Sequence, residues 1–349
     1  MADLPVQQHA PDGARVIVAG ATGFAGALAA HLLWRHPDFQ LAAVTGRSEL
    51  GRPLGELYPR YRVPLAIEEL DAAQLEGVDA AVVAYPHAAA APTVAALHER
   101  GIRVVDLSAD FRLRSLETYE RWYGEHPRPA LIEHAVYGLS ELHRERIAAA
   151  AIVANPGCYP TASLLALAPL ARAGLIADVV IDAKQGISGA GRVFDETTHL
   201  SMAGENIVPY KVAAHRHTPE IEEQLALLIG ADGAGGGLRV QFQAHLVPLD
   251  QGEMASCYVT TTRSLGAGEL RDLYRDAYAS EPFVELLDGP PGVLEVRETN
   301  YCRVYAAADQ HTGKVIAFGA IDNLWKGTSS QAVQNLNVMF GLPEGEGIS

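Results

Sequence analysis

Residues 15–26 read RVIVAGATGFAG: a β-branched run, a glycine turn, and then helix-forming composition through Trp34. Gly20, Gly23 and Gly26 keep the spacing G-x-x-G-x-x-G. Between a strand and a helix, such glycines let a pyrophosphate reach the backbone N–H groups of the helix N-terminus, where the macrodipole favours negative charge. The spacing alone is weak, and its place after a strand and before a helix makes it informative. Working outward, QLAAVT (40–45), DAAVVAY (79–85) and RVVDLS (103–108) read as strands, with an alanine-rich helix ending near Arg100. Strands alternating with helices predict an α/β, doubly wound, mainly parallel sheet. Gly20, Thr22, Gly23, Phe24 and Gly26 are the candidate dinucleotide contacts of this turn.

After about residue 158 the texture changes. A helix is expected over roughly 160–173, closed by Gly174, and another from about 219. GADGAGGG (230–237) reads as a loop, and strand-like runs dominate 238–262 and 293–321, with a hairpin around ADQHTGK. This half is expected to be α+β with a mainly antiparallel sheet.

Composition narrows the function. The 349 residues suit two domains, and 48% hydrophobic content supplies a core. Acids outnumber bases 42 to 27, giving a net charge of −15, which argues against nucleic-acid partners. No apolar run reaches membrane-spanning length, and MADLPVQQHAPDGA reads as a frayed leader, not a secretory signal. Cys158, Cys257 and Cys302 are far apart and odd in number, which fits a reducing, cytoplasmic setting.

About 20 residues past the glycine turn, NAD-binding chains carry an acid for the ribose 2′-hydroxyl. Here TGRSELGR follows the second strand, and Thr45, Arg47 and Ser48 suit a 2′-phosphate instead. The expectation is NADP(H), with Glu49 the nearby dissenting acid.

The stretch ANPGCYPT (154–161) carries the chemistry. Pro160 is expected as the first helical residue, which puts Cys158 at the helix entrance beside unpaired N–H groups. That position is expected to lower the thiol's pKa and to supply an oxyanion site. Cys257 and Cys302 sit in strand-like runs and read as inert core thiols. HRHTPEIEE offers a proton-transfer partner: Thr218 as helix cap, Pro219 as helix start, Glu220 and Glu222 in the first turn, and His217 fixed just ahead. His215 and His217 lack a third ligand at metal spacing, so no metal is expected.

GATGFAG, DLSADFRL, ANPGCYPTA, GISGAGR, HRHTPEIEE and AIDNLWKGTSSQAVQNLN occur in the order seen in N-acetyl-γ-glutamyl-phosphate reductases of arginine biosynthesis, and the resemblance spans about residues 15–343. It implies an NADP-binding Rossmann domain at 1–157, completed by a C-terminal helix at 325–349, and a catalytic and oligomerisation domain at 158–324. It also implies a homo-oligomer, tetramer or dimer, acting on a small acyl phosphate. By the same resemblance Cys158 is the nucleophile and His217 the acid/base, while Arg112 holds the acyl or leaving phosphate. Asn155 and Glu220 join Arg112 as substrate-binding positions. Ser188, Gly189 and Gly191 resemble a loop lining cofactor and active site, and Asn323 resembles a contact near the nicotinamide. Tyr210, Lys211 and Arg216, which flank His217, stay open between substrate contacts and surface groups. One departure is Ala88, where the family often has glycine after Pro86-His87.

The same chemistry on aspartyl phosphate or a carrier-linked aminoadipyl phosphate is the alternative, and NPGCYPT favours the arginine-pathway substrate. A short-chain dehydrogenase is excluded, because none of the 13 tyrosines has a lysine four residues later. A non-enzymatic NADP sensor would have no reason to keep both Cys158 and His217 in these settings.

Overall fold

The computed structural model describes residues 13–71, 75–192, 198–230 and 238–348. Most of the expected leader and the expected glycine-rich loop after Gly230 lie outside the described residues. The chain divides into two compact units, one of Met1–Pro156 with Thr328–Ser349, the other of Gly157–Gly327.

In the first unit β1 (Ala14–Ala19), β2 (Phe39–Thr45), β3 (Ile67–Glu68), β4 (Ala80–Val83), β5 (Arg103–Asp106), β6 (Ala135–Tyr137) and β7 (Ile152–Ala154) form one sheet in the order β3-β2-β1-β4-β5-β7-β6. Every pairing in it is parallel. Val16–Ala19 and Ala80–Val83 are fully buried, the unbroken apolar pattern of strands covered on both faces. Helix α1 (Phe24–Trp34) follows the first glycine turn and buries most of its residues. The C-terminal helix Ser330–Phe340 belongs to this unit. Its Asn335 donates to the Gly138 carbonyl and to Asn155 Oδ1 at 2.9 and 3.0 Å.

The second unit carries β8 (Ile176–Gln185), β9 (Val208–Tyr210), β10 (Val240–Leu246), β11 (Glu253–Thr261), β12 (Val284–Leu286), β13 (Cys302–Asp309) and β14 (Lys314–Ile321), in the order β12-β13-β14-β11-β8-β10-β9. Only β8/β10 and β12/β13 run parallel. β13 and β14 close the expected hairpin, Asp309 opposite Lys314. The strand expected from residue 293 starts only at Cys302, because Leu294–Val296 turns as a 3₁₀ helix.

A single helix, Cys158–Arg172, forms the heart of this unit, with Tyr159–Ala171 wholly buried. Apart from Thr161 and Ser163 its buried residues carry no hydrogen-bonding side chain but the Tyr159 hydroxyl, the composition of a helix enclosed on every side. It lies so close to β14 that a Cβ on Gly319 would stand 2.2 Å from the Ala162 carbonyl oxygen. Pro169 within it has no N–H for the Leu165 carbonyl four residues back. The Tyr278 hydroxyl donates to that carbonyl instead, and Tyr274 donates to the next, Ala166, at 2.6 Å.

Candidate active site

The three glycines of the first turn do different work. Gly20 has φ +94, and a Cβ there would meet the Ala84 backbone at 2.8 Å. On Gly26 a Cβ would meet the Gly20 carbonyl at 2.3 Å, so the helix can sit this close only without a side chain. Gly23, the N-cap of α1, faces open space, with nothing within 4 Å of the Cβ it lacks. That open backbone at a helix N-terminus fits a dinucleotide pyrophosphate.

Thr45 contributes through its backbone, where its carbonyl accepts the Gly20 and Ala21 N–H groups, each at 2.9 Å. Its side chain is fully buried, so the expected hydroxyl contact with a cofactor is corrected to support of the turn. Arg47 and Ser48 are exposed, and the Arg47 guanidinium stands 4.7 Å from the Tyr85 ring centroid. Glu49 takes the Arg52 guanidinium at 3.1 Å. Thr22 accepts the Tyr58 hydroxyl on its carbonyl at 2.8 Å, and the Tyr58 ring lies edge-on to Phe24.

Arg112 and Asn155 also belong to the first unit, and both are buried. The Arg112 guanidinium donates to the carbonyls of Asn155 and Leu107, both at 2.8 Å. Asn155 uses its amide on the Thr328 carbonyl and on Asn335, at 3.1 and 3.0 Å. For Asn155 a substrate contact therefore gives way to a structural one, since its side chain is fully buried and engaged at both ends. Ala88 explains the departure noted in the sequence. It sits at φ +63, a region that favours glycine, and is held there by Asp110, which accepts the Ala88 and Ala91 N–H groups at 2.7 and 2.9 Å.

In the second unit the cysteine turn is built by close contact. The helix starts at Cys158, two residues earlier than expected, and Pro160 is its third residue, still in the turn whose N–H groups need no partner. Gly157 caps it, its N–H donating to the buried Glu220 Oε1 at 2.9 Å. A Cβ on Gly157 would stand 2.5 Å from His217 Nε2, so the imidazole lies directly against the turn. His217 is itself the residue before the helix Thr218–Ile229. Thr218 is therefore the first helical residue and makes no side-chain cap, and Glu222 bonds instead to the Val240 N–H at 2.9 Å. The His217 N–H donates to Nδ1 of His215 at 3.2 Å. Burial among aromatic rings pushes His215 down to about 3, which keeps that nitrogen an acceptor.

Two residues not singled out in the sequence complete the site. Gln185 Nε2 donates to Cys158 Sγ at 2.9 Å and to Glu253 Oε2 at 2.7 Å. Gln185 ends β8 and Glu253 opens β11, directly opposite each other in the ladder. A signal was present: Val179, Ile181, Ala183 and Gln185 share a buried phase, as do Glu253, Ala255, Cys257 and Val259. A polar residue in phase with a core is a buried polar residue.

This surrounding corrects the expected acidity of Cys158. Burial and then the Glu253 carboxylate push the thiol well above its usual value, outweighing the Gln185 and Tyr159 N–H donors. Desolvation of the charged form exceeds what a helix entrance supplies. Glu253 is raised to about 8, chiefly by burial. Cys257 and Cys302 are fully buried, consistent with inert core thiols.

Ser188 and Asn323 meet in the same unit. Asn323 Nδ2 donates to Ser188 Oγ at 3.0 Å, and Oδ1 accepts the Gly252 N–H at 2.9 Å. Ser188 Oγ donates to the Asp250 carbonyl at 2.6 Å. Gly189 lies on Gln185, where a Cβ would be 2.2 Å from the amide.

The two units and a cysteine at a helix entrance define an oxidoreductase of the semialdehyde dehydrogenase class. Residues 15–150 match the family described as semialdehyde dehydrogenase, NAD binding domain, and residues 158–323 match semialdehyde dehydrogenase, dimerisation domain. The fold is that of aspartate semialdehyde dehydrogenase II from Vibrio cholerae, at a TM-score of 0.73 and 18% identity over 94% of this chain and 98% of that one. The Candida albicans enzyme, solved with NADP, gives 0.68 at 16% identity over 94% and 98%. N-acetyl-gamma-glutamyl-phosphate reductase of Desulforudis audaxviator is 46% identical over 96% of this chain and 97% of its own length. That of Moorella thermoacetica is 45% identical over 94% and 95%. The chain belongs to the N-acetyl-γ-glutamyl-phosphate reductase family.

Proposed function

We propose that the protein reduces N-acetyl-γ-glutamyl phosphate to N-acetylglutamate 5-semialdehyde with release of phosphate, through a thioester on Cys158. The observation that carries this reading is the thiol at the first helical position, 2.9 Å from a Gln185 amide, on a turn pressed against His217. Sulfur attacks the acyl carbon and the bond to the phosphate oxygen breaks. The first-turn N–H groups and the Gln185 amide offer donors to an oxyanion at that carbon. The nicotinamide cofactor supplies the hydride that takes the thioester to the aldehyde level. His217 passes the proton as the thiohemiacetal collapses and frees Cys158.

The nicotinamide domain lies in the first unit, with the glycine turn for the pyrophosphate. NADP(H) is the proposed form, because Glu49 is occupied by Arg52 while Arg47 and Ser48 are exposed at the end of β2. The match to a dimerisation domain supports assembly of the second unit into a homodimer or a tetramer built from it. Among the described residues no helix is long and apolar enough to cross a membrane, and the proposed setting is the cytoplasm.

The test is the reverse reaction, followed by NADPH absorbance with N-acetylglutamate 5-semialdehyde, phosphate and NADP. Phosphate-dependent turnover by the wild type and none by Cys158→Ala is expected. Turnover that survives the loss of Cys158 would overturn the covalent route, and turnover of aspartate semialdehyde alone would change the substrate.

A further inference from the structure

The carboxyl ends of three adjacent strands meet at the glycine turn. β1 ends at Ala19 and lies between β2, which ends at Thr45, and β4, which ends at Val83. Gly46 is fixed beside the turn: its N–H donates to the Glu68 carbonyl at 2.9 Å, and a Cβ on it would stand 2.9 Å from Thr22 Cγ2. Arg47 follows on this anchored backbone with its side chain exposed. On the other flank the Ala84 N–H donates to the Ala19 carbonyl at 2.7 Å, and half-buried Tyr85 comes next. The Tyr85 ring stands against the turn itself, with its Cδ1 3.2 Å from where a Cβ on Gly20 would lie.

Arg47 therefore reaches from the end of β2, across the end of β1, to a ring at the end of β4. Its guanidinium lies over that ring, 4.7 Å from the centroid, and among the described residues it has no carboxylate partner. Glu49, two residues on, is taken by Arg52 at 3.1 Å. The kind of partner matters. A carboxylate would neutralise the charge and claim N–H donors, whereas a ring face holds the guanidinium and leaves its charge available to an anion. An exposed arginine with no such support must give up its rotamer freedom when a ligand binds.

We infer that Tyr85 is a positioning residue that sets the preference for NADPH over NADH, by holding Arg47 over the glycine turn ready for the ribose 2′-phosphate. The inference rests on the NADP(H) reading of this turn. NADH has no 2′-phosphate, so its binding should not draw on the held guanidinium. At an exposed site a cation–π contact converts to a binding ratio of about 2- to 5-fold.

The experiment measures dissociation constants by calorimetry for NADPH, NADH and adenosine 2′,5′-bisphosphate, a probe that carries the 2′-phosphate and no nicotinamide. Tyr85→Leu should weaken NADPH and the bisphosphate by about 2- to 5-fold and leave NADH unchanged. Tyr85→Phe keeps the ring face and should bind all three as the wild type does. In an Arg47→Ala background, Tyr85→Leu should leave the NADPH/NADH ratio as it is, because the group it positions is gone. Equal losses for NADPH and NADH would make Tyr85 a general support of the turn or a platform for adenine, and would overturn the inference. A change in the ratio that persists without Arg47 would overturn it too. If Tyr85→Leu does not fold, Tyr85→Met, unbranched and without a ring, replaces it with the same expected ratio. A wild-type preference for NADPH that survives loss of the ring rejects the inference alone, whereas a wild type that binds NADH as tightly as NADPH rejects the NADP(H) reading and the inference with it.

Discussion

Gly157→Ala isolates the contact on which the proposed division of labour between Cys158 and His217 depends. Gly157 has φ −67 and ψ 153, a conformation alanine adopts without strain, so any effect comes from the added methyl. That methyl would stand 2.5, 2.8 and 2.9 Å from Nε2, Cε1 and Cδ2 of His217. To restore an ordinary contact of 3.4 Å the imidazole must retreat by about 0.9 Å. A misplacement of that size in a catalytic group costs about 10²-fold in rate, or ~2.7 kcal/mol in the barrier. Stability should change little, because the gain of about 0.4–1 kcal/mol from a stiffer unfolded chain offsets part of the crowding. The assay is kcat for the reverse reaction, alongside iodoacetamide modification of Cys158 near neutral pH. Turnover should fall about 100-fold while alkylation stays near the wild-type rate, since the three nearest atoms to the new methyl all belong to His217. Wild-type kcat would refute the proposed role of the imidazole, and an equal loss in both assays would move the effect to the cysteine turn.

Ala88→Gly relieves a left-handed alanine at φ +63, and should raise the urea midpoint by the equivalent of about 0.5–1 kcal/mol with kcat unchanged; a lower midpoint would contradict the strain. His215 is held at about 3 by burial, below its ordinary 6.5. A basic group depressed by folding contributes stability that is present above pH 6.5 and lost as pH falls, by up to ~1.4 kcal/mol per unit. His215→Gln should lessen the fall of unfolding free energy below pH 6.5, and an unchanged slope would place the acid sensitivity elsewhere. Arg47→Glu should weaken NADPH relative to NADH by tenfold or more in KM, and an unaltered ratio would remove Arg47 from the 2′-phosphate site.

The parallel sheet was legible because its strands advertise themselves twice, through β-branched runs and through the glycine turn that ends the first. Val16–Ala19 is apolar without alternation, which only a strand covered on both faces tolerates. The hairpin at Asp309–Lys314 was legible for the converse reason, a turn-forming stretch between two alternating runs. Helix starts were less so. Pro160 suggested a first residue, yet the helix begins at Cys158 because proline is tolerated throughout the first turn. Thr218 suggested a cap, yet Pro219 after it occupies the second position and His217 takes the cap site. The resemblance gave Arg112 as a phosphate ligand, while its position between two backbone carbonyls depends on the distance between β5 and β7, which no local pattern encodes.

The acidity of Cys158 failed for a deeper reason. A helix entrance is a local property and can be read from a dozen residues, so the sequence yields the stabilising side of the thiolate's balance. The opposing side is non-local: the burial of Tyr159–Ala171 against the sheet, and a carboxylate 95 residues further on that register places beside Gln185. A nucleophilic cysteine is usually taken to need a low pKa. Here the raised thiol points to another arrangement, in which the resting sulfur stays protonated and gives up its proton only as it attacks. That arrangement keeps the sulfur less reactive toward adventitious electrophiles and oxidants, whose attack also requires thiolate. It follows that the reactivity of Cys158 in the free protein should be a poor guide to its rate with substrate bound: iodoacetamide modification near neutral pH should be slower than that of an ordinary free thiol while turnover is fast, and modification at the free-thiol rate would contradict the raised thiol.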